Sequence, residues 1–409
     1  MVGPGDGRRL ARVADRPMTL LVLASYFKGE RFIEQAHRRG ARVYLFTHEK
    51  LLEKPWPRNA LVDVFAQPDG SPLQHTLHTV AYLARSRVFD RVVALDDYDV
   101  ETAASLREHL RLPGMGDTTA RYFRDKLAMR TKARDCGIAV PPFVRVLNYD
   151  ELRDFMASVP PPWMLKPRSE ASAAGIVKVQ TPEQLWHALD GLGDRQSSFL
   201  LEKYLPGDVY HVDSLVQDRQ PLFAEVHRCG TPPFDVAHGG GIYTSRTVER
   251  GSPEDLGLLA LNASILEQLG LVEGVSHIEF IRSPAGELYM LETSARVGGA
   301  HTVDMVEAAT GLNLWEQWAN LEIDGPLYQL PPRRAEYGGL LMTLAREERP
   351  DLSAYSDPEV VLRAGEPFHA GLVLRSTSQA RVESLLDDYS RRLARDHQAV
   401  LPAMDRPAH

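Results

Sequence analysis

Apolar residues fall along this chain in two rhythms, and the changes of rhythm mark its elements. Residues 19–24 (Thr-Leu-Leu-Val-Leu-Ala) form an unbroken apolar run. A run that short, with no polar alternation, predicts a strand covered on both faces. A helix is predicted over 30–39, ended by Gly40, and a second strand over 41–46. Strand, helix and strand at that spacing imply a parallel pair, because parallel strands need a long crossover. Residues 92–95 predict a later strand of the same sheet, followed by a helix over 101–110. Asp96, Asp97 and Asp99 stand just past that strand's carboxyl end, where open α/β sheets place ligands.

Prolines divide the rest. Pro141-Pro142, Pro160-Pro161-Pro162 and Pro331-Pro332 mark three breaks, with a helix predicted over 150–158. From residue 163 strands mix with helices. The last stretch has strand-like runs at 338–344 and 371–375 and a charged helix over 379–396. No internal repeat and no low-complexity tract interrupts the pattern. At 409 residues the chain exceeds one ordinary core, so two or three domains are expected.

Composition narrows the function. Hydrophobic residues make up 44% and charged residues 25%, as in a globular protein. The net charge of −8 gives no electrostatic footprint for nucleic acid or an anionic membrane. The two cysteines, Cys136 and Cys229, form neither a disulfide framework nor a zinc cluster. Free thiols fit a reducing cytoplasm. Arg8, Arg9, Arg12 and Arg16 ahead of an apolar run over 18–27 mimic a signal peptide, but Lys28-Gly29-Glu30-Arg31 follows with no small-residue cleavage pattern. No apolar stretch approaches the roughly 20 residues of a spanning helix. A cytoplasmic location is expected, with residues 1–17, rich in Gly and Arg, disordered.

Several chemistries are excluded by their missing motifs. The chain has no Gly-Lys pair, so no P-loop, and no G-x-G-x-x-G after the first strand. His238-Gly239-Gly240-Gly241 is similar to the oxyanion loop of some esterases, but no G-x-S-x-G accompanies it. The hydrolase reading fails, and these glycines are expected to form a mobile loop. No H-E-x-x-H occurs.

The most informative segment is a hairpin. Residues 275–282 and 287–293 are strand-like and flank Ser283-Pro284-Ala285-Gly286, which is turn chemistry. A two- or four-residue loop pairs Arg282 with Glu287 and His277 with Glu292. Side chains alternate with period two, so Glu279 shares a face with Glu292 as a diagonal neighbour, roughly 7–8 Å away at the backbone. An odd loop would put them on opposite faces. Two such carboxylates suit a hard cation, and magnesium takes one or two protein carboxylates with phosphate and water completing its shell. Ser294 continues on that face, and Arg296 with Gly298-Gly299 suits an anionic group.

These residues resemble the ATP-grasp superfamily of carboxylate–amine ligases, over about residues 18–325. Its metal hairpin typically reads Glu, a dozen or so residues, then Glu-x-Asn-x-Arg. Here it reads Glu279, then Glu292-Thr293-Ser294-Ala295-Arg296. The resemblance implies Glu279 and Glu292 as metal ligands, Ser294 as a weaker third in the place of Asn, and Arg296 steadying the transferring phosphate or the substrate carboxylate. Lys126, after Asp125, and Lys166, in Trp163-Met164-Leu165-Lys166-Pro167, resemble the nucleotide lysines. Residues 169–175, with Ser172 and Gly175, resemble the phosphate lid. Residues 199–207 resemble the adenine hinge, in which Glu202, Lys203, Tyr204 and Leu205 offer backbone groups, a carboxylate and packing to the base. Asp208 is the carboxylate nearest the usual ribose position, held here by Val209, and Asp213 is a further acidic candidate near the phosphates. Arg228, Arg246 and Gly298 are candidate substrate contacts.

The implied fold is α/β and α+β: a Rossmann-like pre-grasp domain over 18–110, a small lid subdomain over 111–195, a large subdomain over 196–330, which together clasp ATP, and a C-terminal α+β extension over 331–409. The implied reaction uses ATP and two Mg2+ ions, with Mn2+ as an alternative, to make an acyl phosphate that an amine attacks. Lys166 and Arg296 are the expected catalytic cations. The partners are a small carboxylic acid, an amino acid by default, and an amine; a homodimer is allowed. Two alternatives stay open: a carboxylase of biotin-carboxylase or purine-pathway type, and a non-catalytic nucleotide sensor.

Overall fold

The computed structural model describes residues 16–171 and 173–400. The expected disordered segment lies outside them except for Arg16 and Pro17, and Arg16 is held, forking onto Asp90 at 2.6 and 2.9 Å. Two compact units emerge. One runs to Gly116 and includes Trp318–Tyr328; the other comprises Asp117–Gln317 and the chain from Gln329 onward.

The first unit is a parallel sheet in the order β3-β2-β1-β4, formed by β1 (Thr19–Ala24), β2 (Arg42–His48), β3 (Asp63–Gln67) and β4 (Arg91–Ala94). All six residues of β1 are buried, which is why its sequence lacks alternation. Trp318 returns to this unit and meets Phe32 edge-on, with ring centroids 5.1 Å apart. β3 is an edge strand, Asp-Val-Phe-Ala-Gln, half-buried except for the exposed Asp63, with too little apolar content to announce itself. Of the aspartates past β4, Asp96 pairs with Lys28. Asp99 accepts from the amide and hydroxyl of Ser25, each at 2.7 Å, and burial beside Asp96 pushes its carboxyl up to about 7.

The second unit holds two sheets. The smaller contains β5 (Phe143–Arg145), β6 (Trp163–Pro167), β7 (Val177–Val179) and β8 (Phe199–Lys203), in the order β5-β8-β6-β7. The larger contains β9 (Asp208–Gln217), β10 (Gln220–Cys229), β11 (Tyr243–Thr247), β12 (Glu273–Arg282), β13 (Leu288–Ser294), β14 (Tyr337–Leu344), β15 (Val360–Ala364) and β16 (His369–Ser376). Its antiparallel order is β13-β12-β9-β10-β11-β14-β16-β15, so the strands beyond residue 331 extend the sheet that carries the hairpin. Helix Thr302–Thr310 covers one face and helix Gln379–Asp396 the other. Adjacent glycines admit both: a Cβ at Gly338 would stand 2.8 Å from Met305, and one at Gly339 would stand 2.6 Å from Val382. Residues 401–409 lie outside the described chain. Among the described residues no helix is long and apolar enough to cross a membrane.

Candidate active site

The hairpin closes differently from its expected register, yet its carboxylates still meet. Arg282 pairs with Leu288, not Glu287, so the loop has five residues, 283–287. Ser283 donates to the Glu287 carbonyl at 2.8 Å, and Gly286 takes a positive φ. That odd loop alone would have turned Glu279 and Glu292 apart. A bulge at Leu291 adds a second one-residue offset, because Phe280 pairs with Met290 while Glu279 pairs with Glu292. Two odd offsets restore the face, and the glutamates become direct cross-strand partners rather than diagonal ones. Ser294 stands opposite His277 on the same pair of strands.

Two lysines approach from helix Lys126–Asp135 and β6. Asp125 caps the helix by accepting from the amides of Leu127 and Ala128, and Arg168 forks onto the same carboxylate. The cap places Lys126 in the first helical turn, where a cation opposes the helix dipole. Buried there, its Nζ lies 2.7 Å from Glu292 and donates to the Glu170 carbonyl at 2.6 Å. Four residues on, Arg130 has no exposure and donates to Glu202 at 2.8 Å, while Lys166 binds the other Glu202 oxygen. Burial alone would raise the Glu202 carboxyl, but Arg130 and Lys166 outweigh it and hold it below its ordinary value. Glu202 is thus the anchor of two cations.

Beneath the hairpin lies a cluster with little sequence signature. Asp213, fully buried, is 2.7 Å from His211 Nδ1, 2.9 Å from His277 Nδ1 and 3.3 Å from His227 Nδ1. Burial opposes ionisation of Asp213, but His277 and His211 hold its carboxyl well below the usual range. Burial works against the His277 cation too, yet Asp213 holds it up to about 9. His277 Nε2 is 3.7 Å from Glu279, and its charge keeps that carboxyl low against burial. His227 is pushed down to about 4 by burial. Asp213, expected as an acidic group near the phosphates, is buried beneath the hairpin and engaged by these histidines. His211, Asp213 and His277 also present ligand atoms within 4.8 Å of one another.

The cluster sets a pH dependence. His277 titrates above its ordinary 6.5, so its stabilisation is complete below that value and is lost as pH rises through about 9. His227 titrates below 6.5, so its contribution is present above that value and is lost as pH falls toward about 4. Chemical denaturation is expected to show a loss between about pH 7 and 10 that is about 2–3 kcal/mol smaller in Asp213→Asn than in the wild type. An identical alkaline slope in that variant would contradict the assignment.

The remaining candidates disperse. Lys203 turns outward to the carbonyls of Pro160 and Pro161, and Tyr204 stacks under Lys178, whose Nζ is 3.5 Å from the ring centroid. The hinge amides of Lys203 and Tyr204 are bonded to the carbonyls of Pro142 and Pro162, and Leu205 is half-buried. Asp208 pairs with Arg228 at 2.9 Å, while Val209, one residue on, lines the cleft. Strand alternation therefore removes Asp208 from the expected ribose position. Arg228 and Arg246 are register partners on the opposite sheet face from Tyr243 and Ser245. There they border a second cavity of about 310 Å³, with Arg246 2.8 Å from Glu383. Ser172 lies outside the described residues. Gly175, at φ 67°, closes a turn whose Ala173 and Ala174 line the cleft. Gly298 packs on the histidine cluster, where a Cβ would be 2.7 Å from Asp213 and 3.0 Å from His277.

What remains together is a cleft of about 380 Å³ lined by Lys126, Lys166, His277, Glu279, Glu292, Ser294 and Arg296. Met164, Ile176, Val209 and Leu291 supply apolar walls. Phe234, Val236, Ala237 and Tyr243 also line it. The expected mobile loop at 238–241 in fact closes a helix, Pro233–Gly239, whose His238 lies 3.0 Å from the Ile176 carbonyl. Pro232-Pro233 was the available signal, since proline favours a first helical turn. Cys229 is pushed up to about 12 by burial, and Tyr243 is raised well above its ordinary value for the same reason. Neither serves as a base near neutral pH. Glu279, Glu292 and the Ser294 hydroxyl form an all-oxygen donor set with two carboxylates side by side, which fits Mg2+.

Comparisons with known proteins agree with this layout. One family model, the ATP-grasp domain, matches residues 159–304, and another, the ATP-grasp N-terminal domain, matches 33–114. An L-arginine-specific L-amino acid ligase of Bacillus subtilis is 27% identical over 241 residues, which is 58% of either chain. The match thus spans less than two thirds of that relative. A D-alanine–D-alanine ligase of Pseudoalteromonas atlantica is 24% identical over 59% of this chain and 77% of its own. Among solved structures, the L-amino acid ligase of Bacillus licheniformis superposes with a TM-score of 0.73 at 18% identity, covering 94% of this chain and 99% of its own. At that identity the likeness is one of fold.

Proposed function

Because this chain belongs to the ATP-grasp superfamily, we propose that it is an ATP-dependent ligase that joins a carboxylic acid to an amine through an acyl phosphate. The observation that carries the reading is the direct pairing of Glu279 with Glu292 across the hairpin, facing Lys126 and bordered by Arg296. The similarity to amino-acid ligases supports amino acids as the substrates.

The chain's own groups divide the work. Lys126 and Lys166 place point charges along the phosphates of ATP. Arg296, whose guanidinium donates to the Val297 carbonyl at 3.1 Å, meets the anionic acid or the phosphoryl group. A divalent cation held by Glu279 and Glu292, with Ser294 beside them, would offset charge developing on the terminal phosphates. The acid's carboxylate oxygen bonds to the γ-phosphorus as the bond to ADP breaks. The amine nitrogen then attacks the acyl carbon, inorganic phosphate leaves, and the nitrogen loses a proton to water or a neighbouring carboxylate. The segment around Gly175 and helix Pro233–Gly239, tied by His238, excludes water that would hydrolyse the acyl phosphate. The two cysteines, both free, fit a cytoplasmic location.

ADP release, followed across pairs of amino acids with Mg-ATP, is expected to require both an acid and an amine. Release that needs only bicarbonate would replace this reading with a carboxylase. Tight nucleotide binding with no ADP release under any mixture would replace it with a sensor.

A further inference from the structure

The segment leaving the hairpin ends in a strained backbone. Ala300 and His301 lie in succession in the left-handed region, at φ 51° and 61°. Neither is glycine, and such residues persist only where their surroundings over-determine them. The strain sits at the cleft, because Gly299, Ala300 and Thr302 line it and Arg296 belongs to the same segment.

The His301 ring supplies the constraint. Its Nδ1 is 2.7 Å from Asp304, in the first turn of helix Thr302–Thr310, and its Nε2 is 3.0 Å from Glu366. Glu366 lies between β15 and β16, beyond the segment matched by the ATP-grasp domain model. The charged groups that face this ring are Asp304 and Glu366, with His369 adding to the field at Glu366. The hydrogen bonds to Asp304 and Glu366 hold the imidazolium up to about 9, and the bond to His301 lowers Glu366 in return. The ring is therefore a cation at neutral pH, with both nitrogens donating.

We propose that His301, clamped between Asp304 and Glu366, is a positioning residue that fixes the 296–301 segment and thereby lets the C-terminal strands hold Arg296 at the cleft. Its consequence for turnover rests on the ligase reading; its consequence for loop order does not.

Glu366→Gln keeps the side chain's shape and removes its charge. Glu366 is half-exposed, so the fold is expected to survive. Imidazole NMR of the full chain is expected to show His301 titrating about one unit lower. Amides of residues 297–299 are expected to exchange about tenfold faster. The KM for the acid is expected to rise about tenfold while that for ATP stays within about twofold. Asp304→Asn is expected to do the same from the helix side. A His301 titration that does not move in either variant overturns the clamp, as does a shift with no change in amide exchange. Should the wild-type chain release no ADP with any acid, the ligase reading falls, while titration and exchange still decide the clamp.

Discussion

Glu292→Ala is expected to abolish acid- and amine-dependent ADP release, by about a thousandfold or more. A Lewis-acid contact supplies several kcal/mol, and each ~1.4 kcal/mol is tenfold in rate. The variant also strips Lys126 of the carboxylate 2.7 Å from its buried ammonium. Glu292→Gln separates the effects, because the amide oxygen still accepts from Lys126 but is a poor magnesium ligand. Both variants are expected to lose turnover, and Glu292→Gln to keep its melting temperature. Initial rates of ADP release with and without Mg2+, beside circular dichroism, check this. Turnover surviving in Glu292→Ala would refute the metal assignment.

The second large effect is on stability. Arg130→Met is expected to destabilise the chain by about 3–5 kcal/mol, since removing one partner leaves a buried charge uncompensated. Arg130 and Glu202 are both sealed from solvent, and Lys166 alone would remain on the carboxylate. Replacing both Arg130 by Met and Glu202 by Leu is expected to recover part of the loss, because apolar side chains of similar volume tolerate burial while Lys166 is left without its carboxylate. The double variant also removes the anchor of Lys166, so ATP affinity is expected to fall while stability partly returns. Urea titrations of the single and double variants measure this. A single variant within about 1 kcal/mol of wild type would contradict the account.

The parts legible in the sequence were those that a local pattern fixes. β1 could be read because a doubly covered parallel strand has no alternation to hide. The glutamate pair could be read because strand periodicity is strict, although the reason it holds was not visible. The five-residue loop and the Leu291 bulge each shift the register by one, and their cancellation depends on backbone geometry that no residue type announces. Lys126 carried a local clue, a cation in a first helical turn against the dipole, whose explanation needed Glu292 from a distant hairpin. Arg130 carried none, since a helical arginine reads as solvated until Glu202 is seen beneath it. Arg228 and Arg246 stand on the other face of the sheet for a period-two reason: each lies one residue from a position that faces the cleft side. Two strands beyond residue 331, β14 and β16, could be read singly, but their joining of the hairpin's sheet is a long-range pairing that spacing does not encode.

The central claim, that ATP's terminal phosphate is passed to a substrate carboxylate over the glutamate pair, has one direct measurement. Amino acids labelled with heavy oxygen in their carboxyl groups are incubated with the chain, Mg-ATP and an amine, and the released phosphate is analysed by mass. The account predicts one labelled oxygen in each phosphate and none in Glu292→Ala. Phosphate released without label, alongside amide product or ADP, would contradict it.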